Sequence, residues 1–277
     1  MELGYVNGKF VSLDEKVIPI DERGHQFGDG VYEVIRFYGG KPFMLAEHLE
    51  RLMKSAKAIR LPVTQSADDF RQIISTAVEK SGLSDCYVYL QITRGIAKRN
   101  HLFPDVPVSV TMTVREAIPL AAEIREKGVS AITREDERWA NCYIKSLNLL
   151  PNILAKQEAH DAGAFEAILI RDGVVTEGSS SNVFIVKNGT VITPPLSKHI
   201  LAGITRMAVL NILKETGIPY EEKNFSEKEL LGADEVFITS TTSEVLPVVS
   251  INGLPVGSGK PGELTKRIYK EFQKRIP

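Results

Sequence analysis

The stretch Glu177-Gly178-Ser179-Ser180-Ser181-Asn182-Val183-Phe184 lies between two turn signals, Asp172-Gly173 and Asn188-Gly189. Both dipeptides take up the left-handed backbone of two-residue hairpin turns at little cost, so each predicts antiparallel strands on its two sides. A glutamate just after a hairpin turn is ordinarily a solvated side chain. Its meaning here depends on what the rest of the chain supplies.

Downstream, Thr193-Pro194-Pro195 ends the strands, and Leu201-Ala202-Gly203-Ile204-Thr205-Arg206 opens a helix that closes at Gly217 with Pro219 beyond. Free N–H groups and the helix dipole at such a start attract anions, although a plain helix cap has the same composition. Ser240-Thr241-Thr242-Ser243 gives a second hydroxyl-rich turn, after an apolar strand over 235–240. A strand over 245–251, a short capped helix over 226–231 and a closing helix over 263–275 complete this half. The run Gly257-Ser258-Gly259-Lys260-Pro261-Gly262 spells G-x-G-x-x-G, but the chain ends fifteen residues later without room for a βαβ unit. It is read as a turn into the last helix.

Upstream stands Tyr143-Ile144-Lys145-Ser146-Leu147-Asn148-Leu149-Leu150. Apolar neighbours take a lysine ammonium out of water and favour the free amine, the state that acts as nucleophile or base. The ordinary alternative is a lysine whose stem lies on apolar surface while its head reaches solvent. A helix starts at Pro151 and closes at Gly163, and strands flank it over 129–134 and 165–171. Ala117-Ile118-Pro119-Leu120 reads as an interdomain link, which gives domains 1–117 and 118–277, the second carrying Lys145 and Glu177.

The first half opens with a hairpin around Asn7-Gly8. Asp21-Glu22-Arg23-Gly24-His25-Gln26-Phe27-Gly28-Asp29-Gly30-Val31-Tyr32-Glu33 reads as a loop before a strand over 34–38, with three glycines that leave the backbone open to close approach. A helix over 47–60 carries Leu49, Leu52, Met53, Ala56 and Ile59 on one face, and Arg51 off that face within i,i+4 reach of Glu47. Ser66 with Asp69 starts a second helix. Strands over 87–93 and 108–114 follow, and the loop between them, with Arg94, Lys98, Arg99 and His101, is either a seat for a carboxylate or an exposed basic loop.

The 277 residues are 43% hydrophobic and 25% charged, ordinary for a globular chain with one large or two medium domains. Lysine plus arginine, 34, nearly balances aspartate plus glutamate, 35, which argues against a nucleic-acid or membrane surface and for small-molecule chemistry. No metal site is expected. Two cysteines and the absence of a signal-like N-terminus predict a cytoplasmic protein, and no apolar run is long enough to span a membrane.

Three of these features suit one cofactor. A pyridoxal-type cofactor needs an amine to anchor it, an acid at its ring nitrogen and a seat for its phosphate. Lys145, Glu177 and the turns at 203–205 and 240–243 are candidates for these in order.

The run 177–184, followed by Val191-Ile192-Thr193 and by 201–206 with the gaps kept, resembles the signature of the class IV (fold type IV) pyridoxal-phosphate aminotransferases. The resemblance extends through 28–33, Glu47-His48-Leu49-Glu50-Arg51-Leu52, 144–148, Ala155-Lys156-Gln157-Glu158-Ala159 and Thr239-Ser240-Thr241-Thr242-Ser243-Glu244, nearly the whole chain. Within the family it is most similar to the D-amino-acid-specific branch.

The resemblance implies an α/β fold of the α+β type: a smaller N-terminal α/β domain, a larger C-terminal domain with a barrel-like sheet, and pyridoxal 5'-phosphate at the domain interface. It implies that Lys145 carries the internal aldimine, Glu177 meets the pyridine nitrogen, and Arg51, Ile204, Thr205 and Thr241 hold the phosphate beside Ser240. Leu201 would pack on the ring, Ser179, Ser180 and Ser181 would line its surroundings, and Tyr32, Arg99 and His101 would trap the substrate carboxylate. Arg99 and His101 would reach in from the other subunit of a homodimer. The implied reaction is ping-pong transamination of D-amino acids with 2-oxo acids such as 2-oxoglutarate.

One run points elsewhere. Val34-Ile35-Arg36-Phe37-Tyr38 is similar to the Glu-Gly-Ile-Arg-X-Tyr run of branched-chain L-aminotransferases, with Val34 in the glycine's place. Aminodeoxychorismate lyases and (R)-amine transaminases share the fold but not this carboxylate trap, and a non-catalytic phosphate-binding module is the rival from another class.

Overall fold

The computed structural model describes residues 1–277. They form two compact units, Met1–Ile118 together with Ile144–Asn148, and Pro119–Tyr143 together with Leu149–Ile276. No helix is long and apolar enough to cross a membrane.

The first unit is built on a six-stranded sheet. Its strands are β1 (Leu3–Val6), β2 (Lys9–Val11), β3 (Gly30–Tyr38), β4 (Lys41–Pro42), β5 (Cys86–Thr93) and β6 (Ser109–Glu116), in the order β2-β1-β6-β5-β3-β4. The expected Asn7-Gly8 hairpin joins β1 to β2. Strand alternation puts Val31, Glu33, Ile35 and Phe37 on the core face of β3. Helix α2 (Leu45–Ala58) lays Leu45, His48, Leu49, Leu52, Ser55 and Ala56 against that core, and α3 (Ala67–Ser81) adds Phe70 and Ile74. Burying a ring the size of Phe70 stabilises the unit by about 1.5–3 kcal/mol. A Ser66–Asp69 capping box starts α3, as the sequence predicts, and the left-handed Gly82 ends it.

Residues 23–27, read as loop, form the one-turn helix α1 (Arg23–Phe27). A single turn is too short to show periodicity. It is fixed by the Glu22 carboxylate, which accepts from His25 N at 2.9 Å, and by Gly28 at φ 64°.

The Lys145 segment, which the sequence reading puts in the second half, packs with this first unit. Tyr32 N donates to Lys145 O at 3.0 Å and Leu147 N to Gly30 O at 3.1 Å, adding a short rung to the edge of β3. The glycines before β3 serve that contact. A Cβ on Gly30 would come within 2.8 Å of Leu147 Cδ1, and one on Gly28 within 2.9 Å of Asn148 Oδ1.

The second unit carries a nine-stranded sheet: β7 (Val129–Glu135), β8 (Glu166–Arg171), β9 (Val174–Gly178), β10 (Asn182–Lys187), β11 (Thr190–Thr193), β12 (Tyr220–Glu222), β13 (Glu235–Ser240), β14 (Glu244–Ile251) and β15 (Leu254–Pro255). The order is β12-β11-β10-β13-β14-β7-β8-β9, with β15 on β14. Strand β9 at one end runs through the 178–181 turn into β10 and lies against it, so the sheet curls into a half-barrel. Val183, Ile185, Ile168, Ile238 and Leu246 fill its core. Both hairpin turns form as expected.

The helices of this unit are α4 (Ala122–Lys127), α5 (Leu150–Asp161), α6 (Ile204–Thr216), α7 (Glu227–Leu231) and α8 (Glu263–Gln273). The glycine-rich run 257–262 is the turn into α8. Glu235 occupies the N-terminus of that helix, accepting from Leu264 N at 3.0 Å and Thr265 N at 2.8 Å, so no phosphate has room there.

Candidate active site

In the first unit, Lys145 is half-buried and its Nζ stands 4.3 Å from the centre of the Tyr32 ring. Lys145 N donates to Ser55 Oγ at 3.1 Å, which ties the segment to α2. Tyr32 in turn lies 5.5 Å from the Tyr89 ring. The lysine is therefore held by an aromatic face and by its own backbone, and pairs with no carboxylate.

Beside it, Glu33 is fully buried on the core face of β3. Arg51 grips it in a fork, Nε to Oε1 at 2.7 Å and Nη2 to Oε2 at 2.8 Å, and His48 Nδ1 sits 2.7 Å from Oε2. Burial alone would raise the Glu33 carboxyl, but the Arg51 charge and these hydrogen bonds bring it down to about 2. Burial also lowers His48, against the pull of Glu33, so the imidazole stays neutral. Arg51 thus has a partner on β3, which its spacing from Glu47 along α2 did not suggest.

Arg99 and His101 are exposed, and both lie on one ring: Arg99 Cζ is 4.7 Å from the Phe27 centroid and the His101 ring 5.5 Å from it. Arg36 is differently placed. It is buried between the rings of Tyr38 and Tyr87, at 4.5 and 5.0 Å, and pairs with Asp85 at 3.3 Å.

In the second unit, Glu177 ends β9, buried. Arg138 Nη1 donates to its Oε1 at 2.5 Å, while Asn182 Nδ2 at 3.0 Å and Leu201 N at 3.1 Å donate to Oε2. Burial pushes the carboxyl up to about 7, with Arg138 and the Leu201 N–H pulling the other way and Asp136 adding to the rise. Arg138 is shared. Its Nε and Nη2 bind Asp136 at 2.8 and 2.9 Å, and Asp136 also meets Arg171 at 3.2 Å.

The remaining predicted residues gather around α6 and the β13–β14 turn. Gly203 caps α6 without a side chain, so the first-turn N–H groups of Ile204 and Thr205 face outward along the helix axis, and both residues are buried. Asn182 Nδ2 also donates to Leu201 O at 3.0 Å, joining the Glu177 carboxylate to the approach to this helix. Asn182 pairs with Thr239, whose buried Oγ1 has no partner. In the turn, Ser243 N donates to Ser240 Oγ at 2.9 Å and Thr241 is half-buried.

Ser179, Ser180 and Ser181 are tied to a residue absent from the sequence reading. All three hydroxyls donate to buried Glu166, Ser181 at 2.8 Å and Ser180 at 3.3 Å. Also missed were Arg138, Asp136, Asn182 as a ligand of Glu177, and the Glu33–His48 pair. Glu33 alone carried a signal, because strand alternation from Val31 places it inside and a buried carboxylate needs a cation.

Each unit taken by itself carries groups that suit a phosphorylated pyridine aldehyde. A buried carboxyl near neutrality can share a proton with a ring nitrogen, an uncapped helix start and an orphaned hydroxyl can receive a phosphate, and a lysine without a carboxylate partner can supply the amine.

Comparison with known proteins agrees. The family model "Amino-transferase class IV" matches residues 30–251. The D-alanine aminotransferase of Bacillus licheniformis is 48% identical over 270 residues, 98% of this chain and 95% of that one. Among solved structures, the Escherichia coli branched-chain amino acid aminotransferase superposes with a TM-score of 0.92 at 32% identity, covering 98% of this chain and 93% of that one. A second branched-chain amino acid aminotransferase, the T.th. enzyme solved with pyridoxamine 5'-phosphate, also gives 0.92, at 31% identity over 99% of this chain and 93% of that one.

Proposed function

The chain belongs to the class IV aminotransferases, and we propose that it transfers amino groups between D-amino acids, D-alanine and D-glutamate among them, and 2-oxo acids such as 2-oxoglutarate. Bound pyridoxal 5'-phosphate would supply the electron sink that lets an amino group leave one carbon and join another. Lys145 would anchor it through Nζ and, once the substrate amine displaces it, take the proton from the substrate Cα as general base. Glu177 would keep a proton at the ring nitrogen, and its rise to about 7 suits that task. Ile204, Thr205, Ser240, Thr241 and Arg51 would hold the phosphate, with Leu201 against the ring and Ser179, Ser180 and Ser181 bordering it.

Handedness follows from where the substrate carboxylate is held, because one lysine moves the proton on a fixed side. The observation that carries the D assignment is the pairing of Arg99 and His101 on the Phe27 ring, where two hydrogen-bond donors two residues apart face outward together. With Tyr32 they form the carboxylate trap. Because both are exposed, we assign a homodimer in which each subunit lends them to its neighbour, and the two free cysteines support a cytosolic setting. Arg36, the residue that looks branched-chain-like, is committed to Asp85 and two tyrosines.

The test is a half-reaction that follows the visible cofactor band with D-alanine, D-glutamate and L-leucine offered separately. Bleaching by the D-amino acids alone is expected. Bleaching by L-leucine alone would transfer the chain to the branched-chain group. Mixing Lys145→Ala with Arg99→Ala protein tests the shared site, since only a heterodimer regains one intact centre; no recovery would remove the exchange.

A further inference from the structure

The trap loop is held from below by an ion cluster that takes no part in the chemistry. Asp29 Oδ2 accepts from Arg23 Nε and from Arg94 Nε, both at 2.9 Å. The two arginine side chains are 3% exposed, the aspartate 14%. Two guanidiniums on one carboxylate leave a positive charge over, and both arginines reach backbone carbonyls as well. Arg94 Nη1 and Nη2 reach Arg60 O at 3.0 Å and Ile59 O at 2.7 Å, at the end of α2, while Arg23 Nη1 reaches Asn100 O at 2.6 Å.

Asn100 is the residue between Arg99 and His101. Fixing its carbonyl fixes the peptide from which both trap side chains spring. The same guanidiniums hold the rings that the loop rests on: Arg23 lies over Phe27, which carries Arg99 and His101, and Arg94 lies 3.6 Å from the Phe103 centroid. Backbone bonds from Arg23 N to Gly95 O and from Ala97 N to Asp21 O, at 3.0 and 3.1 Å, secure the loop's start. Between 98 and 102 the chain is exposed, and its own bond is Leu102 N to Asn100 Oδ1 at 3.0 Å.

We propose that the Arg23–Asp29–Arg94 cluster is the positioning device of the carboxylate trap: it sets where Arg99 and His101 point and so governs selection for substrates bearing a carboxylate. This rests on the reading of Arg99 and His101 as the trap. Arg23, which alone grips Asn100, is the positioning residue whose loss acts most directly. Asp29 acts through both arginines.

The experiment uses cofactor-loaded enzyme and compares D-alanine with D-alaninamide, which has the same amine and side chain but no carboxylate. In Arg23→Gln, KM for D-alanine and for 2-oxoglutarate should rise about tenfold with kcat within about twofold, the loss of one charge-assisted contact. The preference for D-alanine over its amide should fall by the same factor, and Asp29→Asn should behave alike. Simple destabilisation would lower both substrates together and keep the preference, which would overturn the proposal. If Arg23→Gln does not fold, Arg23→Lys serves: it keeps the charge but cannot reach Asp29 and Asn100 at once, so an intermediate loss of preference is expected and an unchanged one refutes the clamp. Arg99→Ala separates the two readings. Preference lost there but kept in the Arg23 and Asp29 variants sinks the clamp alone; preference kept in Arg99→Ala as well sinks the trap, and the clamp with it.

Discussion

Glu33 and Glu177 are two buried glutamates, each at an arginine, and their protons behave in opposite ways. Glu33 is brought down to about 2 and Glu177 pushed up to about 7. The residue types match, so the difference lies in how the arginine is divided. Arg51 gives Glu33 two nitrogens in a fork, with neutral His48 adding a third contact. Arg138 gives Glu177 one nitrogen and spends two on Asp136, whose own charge repels the second carboxylate. A carboxylate with an arginine to itself is a fixed structural anion. One that takes a single nitrogen of its arginine, with a second carboxylate holding the rest, keeps a proton within reach of neutral pH, which would suit a group facing a basic ring nitrogen.

The largest effect expected from this contrast is on catalysis. Glu177→Gln should lower the single-turnover rate with D-alanine by about a thousandfold, the upper range for removing one preorganised electrostatic group. A loss below about tenfold would put Glu177 on a par with any buried anion and dissolve the distinction.

Next comes stability. Glu33→Gln removes the forked counter-charge from the nearly buried Arg51, which should cost about 3–5 kcal/mol in urea unfolding. Glu33→Gln combined with Arg51→Met should recover much of that. If the double variant is no better than the single one, Glu33 is not the fixed anion described here.

The pH dependence sharpens the contrast because its two limbs have opposite signs. Glu33 lies below its ordinary 4.5, so its contribution is full above pH 4.5 and is lost as pH falls toward 2. Glu177 lies above 4.5, so the folded chain keeps a proton that the unfolded chain gives up. Its contribution is full below about pH 4.5 and is lost as pH rises through 7. Each limb should amount to roughly 3 kcal/mol in the cofactor-free protein. Urea midpoints measured from about pH 3 to 8 should show Glu33→Gln flattening the acid limb and Glu177→Gln the neutral one.

The smallest effect belongs to Arg36. Its partner Asp85 is half exposed, so Asp85→Asn should cost less than about 1 kcal/mol and leave the choice of D- over L-amino acids unchanged. A shift of donor preference toward L-leucine would reopen a substrate role for Arg36.

Much of the fold can be read along the chain. The helical stripe of α2, the Ser66 box, the glycine and proline ends of α6, and the two hairpins around 177–184 are local patterns, and all form where expected. The run from Glu177 to Phe184 also sufficed to pick out the family. Within the candidate site, legibility fell wherever a partner lay far off in sequence. Arg51 seemed suited to Glu47 because both ride one helix, and its actual partner stands on a strand eighteen residues earlier. Arg138, which follows the acidic run Glu135-Asp136-Glu137, drew no reading, yet it is buried against Glu177, 39 residues on.

The sequence by itself set most of the helices and strands, the family, and Lys145 and Glu177 as candidates, because periodicity, turn chemistry and motif spacing are properties of neighbouring residues. Only the tertiary structure decided which arginine serves which carboxylate, that Glu166 gathers the three serines, and that Asp29 joins two arginines beneath the loop of Arg99 and His101. Those pairings depend on distances of about 3 Å between residues far apart in the chain, and at that range charge and burial, not sequence order, set what each group can do.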